Sequence, residues 1–320
     1  MGSSPTSGIM RQKIVVILGP TASGKSGLAV KLAKKFNGEV ISADSRQVYR
    51  GLDIGTGKIT RREMQGVRHH LLDVADPRKQ YSVVRYIKQA REAIADIMRR
   101  GKLPIVCGGT GFYTSALLGD ETIPDVPPNK ALRKKLQTKT ASELYALLKK
   151  LNPKRARIMN KSDRANHRRL IRAIEIAKDY RHKNTHTLNL CGRTSLVYGC
   201  NILKIGILLP KEELRRRITI RLFARISRGM IAEAKRLHAP PAGGGLSWKR
   251  MEELGLEYRY LALFLQKKMT KEEMLKKLDT KIWHYAKRQT TWFGRDKDIK
   301  WFGTSQFQKL IPEIKKFLDK

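Results

Sequence analysis

The sequence predicts an α/β protein: a P-loop NTPase-like parallel sheet core with an inserted basic helical domain and a helical C-terminal region. Three observations lead to that expectation. Residues 19–26 read Gly-Pro-Thr-Ala-Ser-Gly-Lys-Ser directly after the apolar run Ile14–Leu18, which is the G-x-x-x-x-G-K-[ST] phosphate loop in its strand-to-helix setting. Strand and helix patterns alternate through residue 120, as in a parallel sheet with crossover helices. A strand pattern then returns at Ile202–Leu209 after a long basic helical stretch, the order that a domain inserted between two strands produces.

Each element has a local reason. Ile14–Leu18 is an apolar run of strand length, and Leu28, Ala29, Leu32, Ala33 and Phe36 recur at helical spacing behind the loop. A second strand is expected at Glu39–Ser42, ending at Asp44 and neighbouring the first, with a short third one at Val67–Leu72. Val83–Arg100 is amphipathic, with Ile87, Ala90, Ile94, Ile97 and Met98 on its inner face. Leu103–Cys107 is the next strand, and Gly108-Gly109-Thr110-Gly111 turns the chain into a helix that runs to Leu118. Ile123–Pro128 reads as a hinge, and every segment from there to about Asp179 looks helical and basic. Arg181–Cys200 reads as a polar loop, Gly243-Gly244-Gly245 as a flexible break between helices, and Lys300–Phe302 as a short edge strand. The expected organisation is a disordered leader over 1–11, the first part of the core over 12–122, the inserted domain over 123–182, and the re-entry strand with the C-terminal helices over 183–320.

The chain has 320 residues, 41% of them hydrophobic, enough for a sizeable core. No run is long enough to span a bilayer, and the N-terminus lacks the basic-then-apolar order of a signal peptide, so the cytoplasm is the expected compartment. With 67 Lys+Arg against 28 Asp+Glu the net charge is +39. An enzyme of small metabolites has no need of such a charge, and its self-repulsion points to a polyanionic partner such as nucleic acid. The clusters Arg133–Lys135, Lys149–Arg157, Arg164–Arg172 and Arg215–Arg228 spread the excess, which favours a broad groove over a basic tail. An anionic membrane surface or high salt is the blander account. Cys107, Cys191 and Cys200 cannot form a disulfide framework. The spacing of Cys191 and Cys200 from His182 and His186 matches no zinc-finger pattern, so free thiols are expected.

In the phosphate loop, glycines let the backbone wrap an anion, and N–H groups at a helix N-terminus face its oxygens. Lys25 can reach a terminal phosphate, and the Ser26 hydroxyl suits Mg²⁺. Asp44 stands at the carboxyl end of a strand, where ligands of open α/β sheets bind. It could act as general base or metal ligand; capping a turn is the alternative. Leu103–Cys107 ends without the carboxylate that P-loop NTPases usually carry on a second strand, which weakens an ATPase reading. Arg217, Arg221 and Arg225 are spaced by four on one helix face, and guanidiniums suit a diphosphate. His69 and His70 point to opposite faces of a strand and cannot chelate one ion, while Asp73 could be an N-cap or a site carboxylate. Trp283, Tyr285, Trp292 and Phe293 interleave with Lys281, Lys287, Arg288 and Arg295, a pattern that either stacks on bases or buries an aromatic stripe.

Together these stretches resemble the tRNA dimethylallyltransferase family, also called tRNA isopentenyltransferase. The resemblance runs from about Ile14 to Phe302. It rests on the phosphate loop, Ser42–Tyr49, Asp53–Lys58, Gly66–Asp73, Tyr81–Val83, Gly108–Tyr113, Arg168–Glu175 and Arg288–Phe293. It implies transfer of a dimethylallyl group from dimethylallyl diphosphate to the exocyclic N6 amine of the adenosine just 3′ of the anticodon, with release of diphosphate. By the same resemblance Gly19, Thr21, Ala22, Ser23, Gly24, Lys25 and Ser26 would bind the diphosphate, with Mg²⁺ bridging it at Ser26. Asp44 would accept the amine proton, and Arg217 or, preferably, Arg221 would clamp the leaving diphosphate, which makes Asp44, Ser26 and Arg221 the expected catalytic residues. Asp44, Ser45, Arg46, Gln47 and Thr110 would touch the tRNA, as would Arg168, Arg169, Leu170, Ile171 and Arg172. The insertion at 123–182 would be a tRNA-binding domain that grips the anticodon stem-loop. A monomer with no membrane partner is expected.

Some positions depart from the family pattern. Arg225 stands where many relatives are apolar, so part of that helix is expected to face RNA instead of core. Arg168 replaces a common glutamine, and Lys183–Cys200 does not align. The chain ends soon after Phe302 without the zinc-finger extension of eukaryotic relatives, which suggests a bacterial-type enzyme. The alternatives are a P-loop kinase or NTPase acting on a nucleotide or RNA, a non-catalytic RNA-binding module, and prenylation of free adenine nucleotides. The last gives no reason for a basic insertion.

Overall fold

The computed structural model describes residues 12–121, 123–124, 126–182, 199–239, 244–303 and 306–320. The expected leader at 1–11, residues 183–198 with Cys191 and His186, and Gly243 lie outside them. Six strands, β1 (Lys13–Leu18), β2 (Gly38–Ser42), β3 (His69–His70), β4 (Leu103–Gly108), β5 (Asn201–Leu208) and β6 (Lys300–Gly303), form one sheet. They pair in parallel in the order β3-β2-β4-β1-β5-β6. Ile14 to Ile17 have no exposed surface, because β1 is flanked by β4 and β5. That position explains an unbroken apolar run where a half-exposed strand would alternate. The order corrects one expectation. The strand that leads to Asp44 does not neighbour β1, since β4 lies between them. Asp44 and the phosphate loop are thus two strand spacings apart, roughly 10 Å, which leaves room for a ligand between them.

The chain divides into two units, one formed by residues 1–121 and 196–320 and the other by 122–195. In the first unit α1 (Lys25–Lys35), α2 (Arg61–Met64), α3 (Val83–Arg99) and α4 (Gly111–Leu118) alternate with the strands. Helix α3 buries Tyr86, Ile87, Ala90, Ile94 and Ile97, while Met98 is only half-buried. The second unit holds α5 (Lys130–Gln137), α6 (Ala141–Leu151), α7 (Pro153–Ile158), α8 (Lys161–Arg164) and α9 (His167–His182) around its own apolar cluster, which includes Leu136, Leu144, Leu148, Leu170 and Ile174. Its buried Glu175 accepts from Arg133 Nε at 2.7 Å, Arg133 Nη2 at 2.8 Å and the Asn129 amide at 2.9 Å. After β5 the first unit continues with α10 (Lys211–Ser227), α11 (Met230–His238), α12 (Trp248–Glu253), α13 (Leu256–Leu265), α14 (Lys271–Phe293) and, beyond β6, α15 (Phe307–Asp319). No helix among the described residues is long and apolar enough to cross a membrane.

Candidate active site

The parallel strands place the ends of β1, β2 and β4 on one edge of the sheet, where a cavity of 280 Å³ opens. Thr21, Lys25 and Ser26 of the phosphate loop line it, together with Asp44, Ser45, Arg46, Gln47, Cys107, Gly109 and Arg221. Gly24 caps α1 with no side-chain bond, and the first turn holds no acidic residue. The first amides of that helix therefore keep their donors for an anion. Gly19 is buried, Ser23 is fully buried, and Ala22 takes the left-handed conformation at φ 63° that bends the loop. Lys25 Nζ donates to the Pro20 carbonyl at 2.5 Å. Its pKa is lowered to about 8, chiefly by burial and also by Arg221, with Cys107 and Asp44 opposing the shift.

Asp44 follows β2. Its Oδ1 accepts the amides of Arg46 at 2.8 Å and Gln47 at 3.3 Å, so the carboxylate does cap a turn. Oδ2 has no hydrogen-bond partner among the described residues, and Asp44 lines the cavity. One oxygen is thus fixed and the other is free to accept a proton. Thr110 ties this turn to the end of β4, accepting the Ser45 amide at 3.1 Å.

The three arginines of α10 separate in role. Arg217 donates to Glu213 at 2.6 Å and does not line the cavity, which corrects its expected place at the diphosphate. It sits one turn before Arg221, beside the acidic start of the helix. Arg225 is 7% exposed and donates to Glu257 at 3.2 Å and to the Gly55 carbonyl at 2.8 Å. It lines the cavity from a buried position and does not turn its helix toward RNA. Arg221 Nη2 donates to the Gly57 carbonyl at 2.9 Å, and Nη1 lies 3.5 Å from Thr21 Oγ1. A Cβ on Gly57, whose φ is +61°, would meet Nη2 at 2.2 Å, so any other residue there would displace the guanidinium. Burial and the neighbouring Arg225 push the Arg221 pKa down, as expected of a cation lacking a carboxylate partner.

Sequence reasoning assigns no role to Gln289, Ile282 or Glu233, and leaves Tyr285 and Arg288 between stacking on bases and burial. Gln289, Arg288, Tyr285 and Ile282 of α14 line the cavity, so the C-terminal helix completes the site. Its aromatic stripe divides: Tyr285 faces the cavity, Phe293 is buried, and Trp292 donates to Ser115 at 3.4 Å. Glu233, 3% exposed, accepts the amides of Asp53, Ile54 and Gly55 at 3.0, 2.7 and 2.9 Å and the Tyr258 hydroxyl at 2.6 Å. It thereby holds the loop whose carbonyls orient Arg221 and Arg225. The only signal for it was a lone acidic residue in a basic helical region.

Other sequence candidates lie elsewhere. His69 Nδ1 bonds the Val67 carbonyl and His70 Nε2 bonds Glu39, so the pair does diverge. Asp73 accepts from Lys58, which also bonds Asp53. Leu170 and Ile171 are buried in the core of the second unit, so their side chains are not available to RNA. Arg169 pairs with Asp163, Arg172 pairs with Glu175 at 3.3 Å, and Arg168 is exposed.

Fold and cavity together define the class: a P-loop α/β protein whose ligand cavity opens where the parallel strands end. The family model described as IPP transferase matches residues 47–296. The tRNA dimethylallyltransferase 1 of Syntrophus aciditrophicus is 40% identical over 96% of this chain and 98% of its own length. That of Anoxybacillus flavithermus is 38% identical, with 97% of each chain covered. Among solved structures, the tRNA isopentenylpyrophosphate transferase of Bacillus halodurans superposes with a TM-score of 0.67 at 36% identity, over 97% of this chain and 96% of that one. A eukaryotic dimethylallyltransferase described as acting on tRNA superposes with a TM-score of 0.76 at 26% identity, over 96% of this chain and 80% of that one. The chain belongs to the tRNA dimethylallyltransferase family.

Proposed function

We propose that the chain transfers a dimethylallyl group from dimethylallyl diphosphate to the N6 amine of the adenosine 3′ of the anticodon in tRNA. The observation that carries the reading is Asp44, with one oxygen fixed and one open, in the same cavity as the phosphate loop and Arg221. The amine nitrogen forms a bond to the terminal carbon of the dimethylallyl group as the carbon–oxygen bond to diphosphate breaks, and the displaced amine proton passes to Asp44. An exocyclic aromatic amine is a poor nucleophile because its lone pair is delocalised, so a carboxylate at hydrogen-bond distance helps as the new bond forms. Lys25, Arg221 and the amides at the start of α1 offset the charge that grows on the leaving diphosphate.

Mg²⁺ suits the donors present. The Ser26 hydroxyl offers an oxygen ligand beside the phosphate loop, at the edge of the cavity that would hold the diphosphate. That is the setting of a cation held mainly by substrate phosphates and water. Ser26 would hold it, and it would supply further positive charge at the diphosphate. The target base has to leave its stack, at a cost of a few kcal/mol. Ser45, Arg46, Gln47 and Thr110 stand beside Asp44 to receive it, and the basic insertion with its exposed Arg168 supports a grip on the anticodon stem-loop. In this reading the protein acts as a monomer that meets its tRNA in the cytoplasm.

The test is incubation with Mg²⁺, labelled dimethylallyl diphosphate and either bulk tRNA or AMP. Label is expected in tRNA and not in AMP; label in AMP alone, or ATP turnover without prenyl transfer, would overturn the reading. Asp44→Ala is expected to lower turnover about 10²-fold or more while tRNA affinity stays nearly unchanged.

A further inference from the structure

We infer that the ring of Tyr285 is the platform on which the target adenine stacks once it has left the anticodon loop. The inference rests on the reading of Asp44 given above. Tyr285 is half-buried on α14 and lines the cavity together with Asp44, Ser45, Arg46 and Gln47. Among the described residues it is the only aromatic side chain that does so. Two contacts fix where it stands. Gln289, one turn further along α14, accepts the Thr21 amide at 2.8 Å and donates to the Gly109 carbonyl at 2.6 Å, which holds the helix against the phosphate loop and the end of β4. Residues four apart share a helix face, so Tyr285 is turned to the same cavity. Its hydroxyl is within hydrogen-bond reach of the Thr110 side chain, which accepts the Ser45 amide at 3.1 Å. Gln289 is thus tied to the phosphate loop, and Tyr285 to the turn that Asp44 begins.

The chemistry of the base calls for such a group. An adenine drawn out of its loop gives up the stacking of its neighbours. Asp44 can meet its amine edge, but the two faces of the purine need a planar partner, and aromatic rings and guanidinium planes are what receive unstacked bases in RNA-binding sites. The Arg288 guanidinium carbon lies 5.8 Å over the Tyr285 ring centroid, and Arg288 also lines the cavity, so ring and cation form one surface. Burial chiefly, and the nearby Asp44, hold the Tyr285 pKa well above its ordinary value. The phenol therefore stays neutral and leaves the amine proton to Asp44. What it offers the substrate is the face of its ring.

A thermodynamic cycle tests the inference. Affinity is measured for an anticodon stem-loop that carries either adenosine or an abasic site at the target position, with the wild-type protein, Tyr285→Leu and Tyr285→Phe. Tyr285→Leu is expected to shift the adenosine-to-abasic affinity ratio about tenfold against adenosine, the effect of one lost base–aromatic stack. Tyr285→Phe keeps the ring and is expected to hold the ratio within about threefold of wild type, and the KM for dimethylallyl diphosphate should stay within about threefold in both variants. A ratio that Tyr285→Leu leaves within about twofold of wild type overturns the inference. So does an equal loss in Tyr285→Phe, which would assign the effect to the hydroxyl and Thr110, or a change confined to the donor KM, which would put the ring against the prenyl group. The wild-type protein decides the matter even where Tyr285→Leu does not fold. Photoactivated 8-azidoadenosine at the target position is expected to label residues 282–288, and labelling confined to other segments overturns the inference. All these results leave prenyl transfer to tRNA intact. A wild-type protein that moves no label from dimethylallyl diphosphate into tRNA overturns the Asp44 reading as well.

Discussion

Arg221 differs from its neighbours on α10 in lacking a carboxylate partner, while Glu213 and Glu257 neutralise Arg217 and Arg225. A guanidinium held by one backbone carbonyl beside the phosphate loop is poised for a leaving group. Arg221→Ala is expected to lower kcat/KM for prenyl transfer by about 10²- to 10³-fold, in the range of losing one preorganised charge donor. Arg217→Ala removes a half-exposed ion pair outside the cavity and is expected to change it by less than roughly threefold, because such pairs contribute little. Equal losses in the two variants would show that the clamp is misassigned. Lys25 gives a prediction in pH. Burial lowers its pKa to about 8, so the ammonium that binds an anion dominates below that pH and is lost above it. Affinity for the diphosphate should therefore be insensitive to this group below pH 8 and fall by up to about tenfold per pH unit above it. Proton uptake on binding at pH 9, read by calorimetry in buffers of different ionisation enthalpy, checks the sign.

The loop 53–58 has almost no apolar anchor of its own beyond buried neighbours such as Leu52, and its shape comes from the Glu233 carboxylate on α11. Glu233→Ala leaves three amides and the Tyr258 hydroxyl without their acceptor. It is expected to cost about 3 kcal/mol or more, since each buried unpaired donor costs about 1–3 kcal/mol. Thermal unfolding measures that loss, and prenyl transfer should fall with it through a displaced Arg221. The same elements show what the sequence could reveal. Strand β1, helix α3 and the phosphate loop were legible because their signals are local: an apolar run, a 3.6-residue period and a contiguous motif. The neighbour of β1 was not, because strand order is decided by pairing between distant segments. Gln289 was equally hidden, as it meets an amide 268 residues away. The burial of Leu170 and Ile171 was legible, for Leu170, Ile171, Ala173, Ile174 and Ala177 form one helical face.

Across the whole molecule, the charge of +39 belongs to both units, and few of its carriers line the cavity. Affinity for tRNA should therefore be dominated by phosphate contacts and weaken steeply between roughly 50 and 200 mM salt. A flat dependence in a filter-binding or calorimetric titration would count against a broad RNA groove. The second unit has its own apolar cluster and its own buried ion network at Glu175, so its basic surface does not depend on the sheet for its internal packing. The first unit is different in how it is written along the chain. Its anion cradle is translated first, and the side chain that bonds the Thr21 amide comes 268 residues later, in α14. A nascent polypeptide, or a product of premature termination before α14, thus displays the whole glycine loop without a finished pocket, and prenyl chemistry waits until α14 has been made.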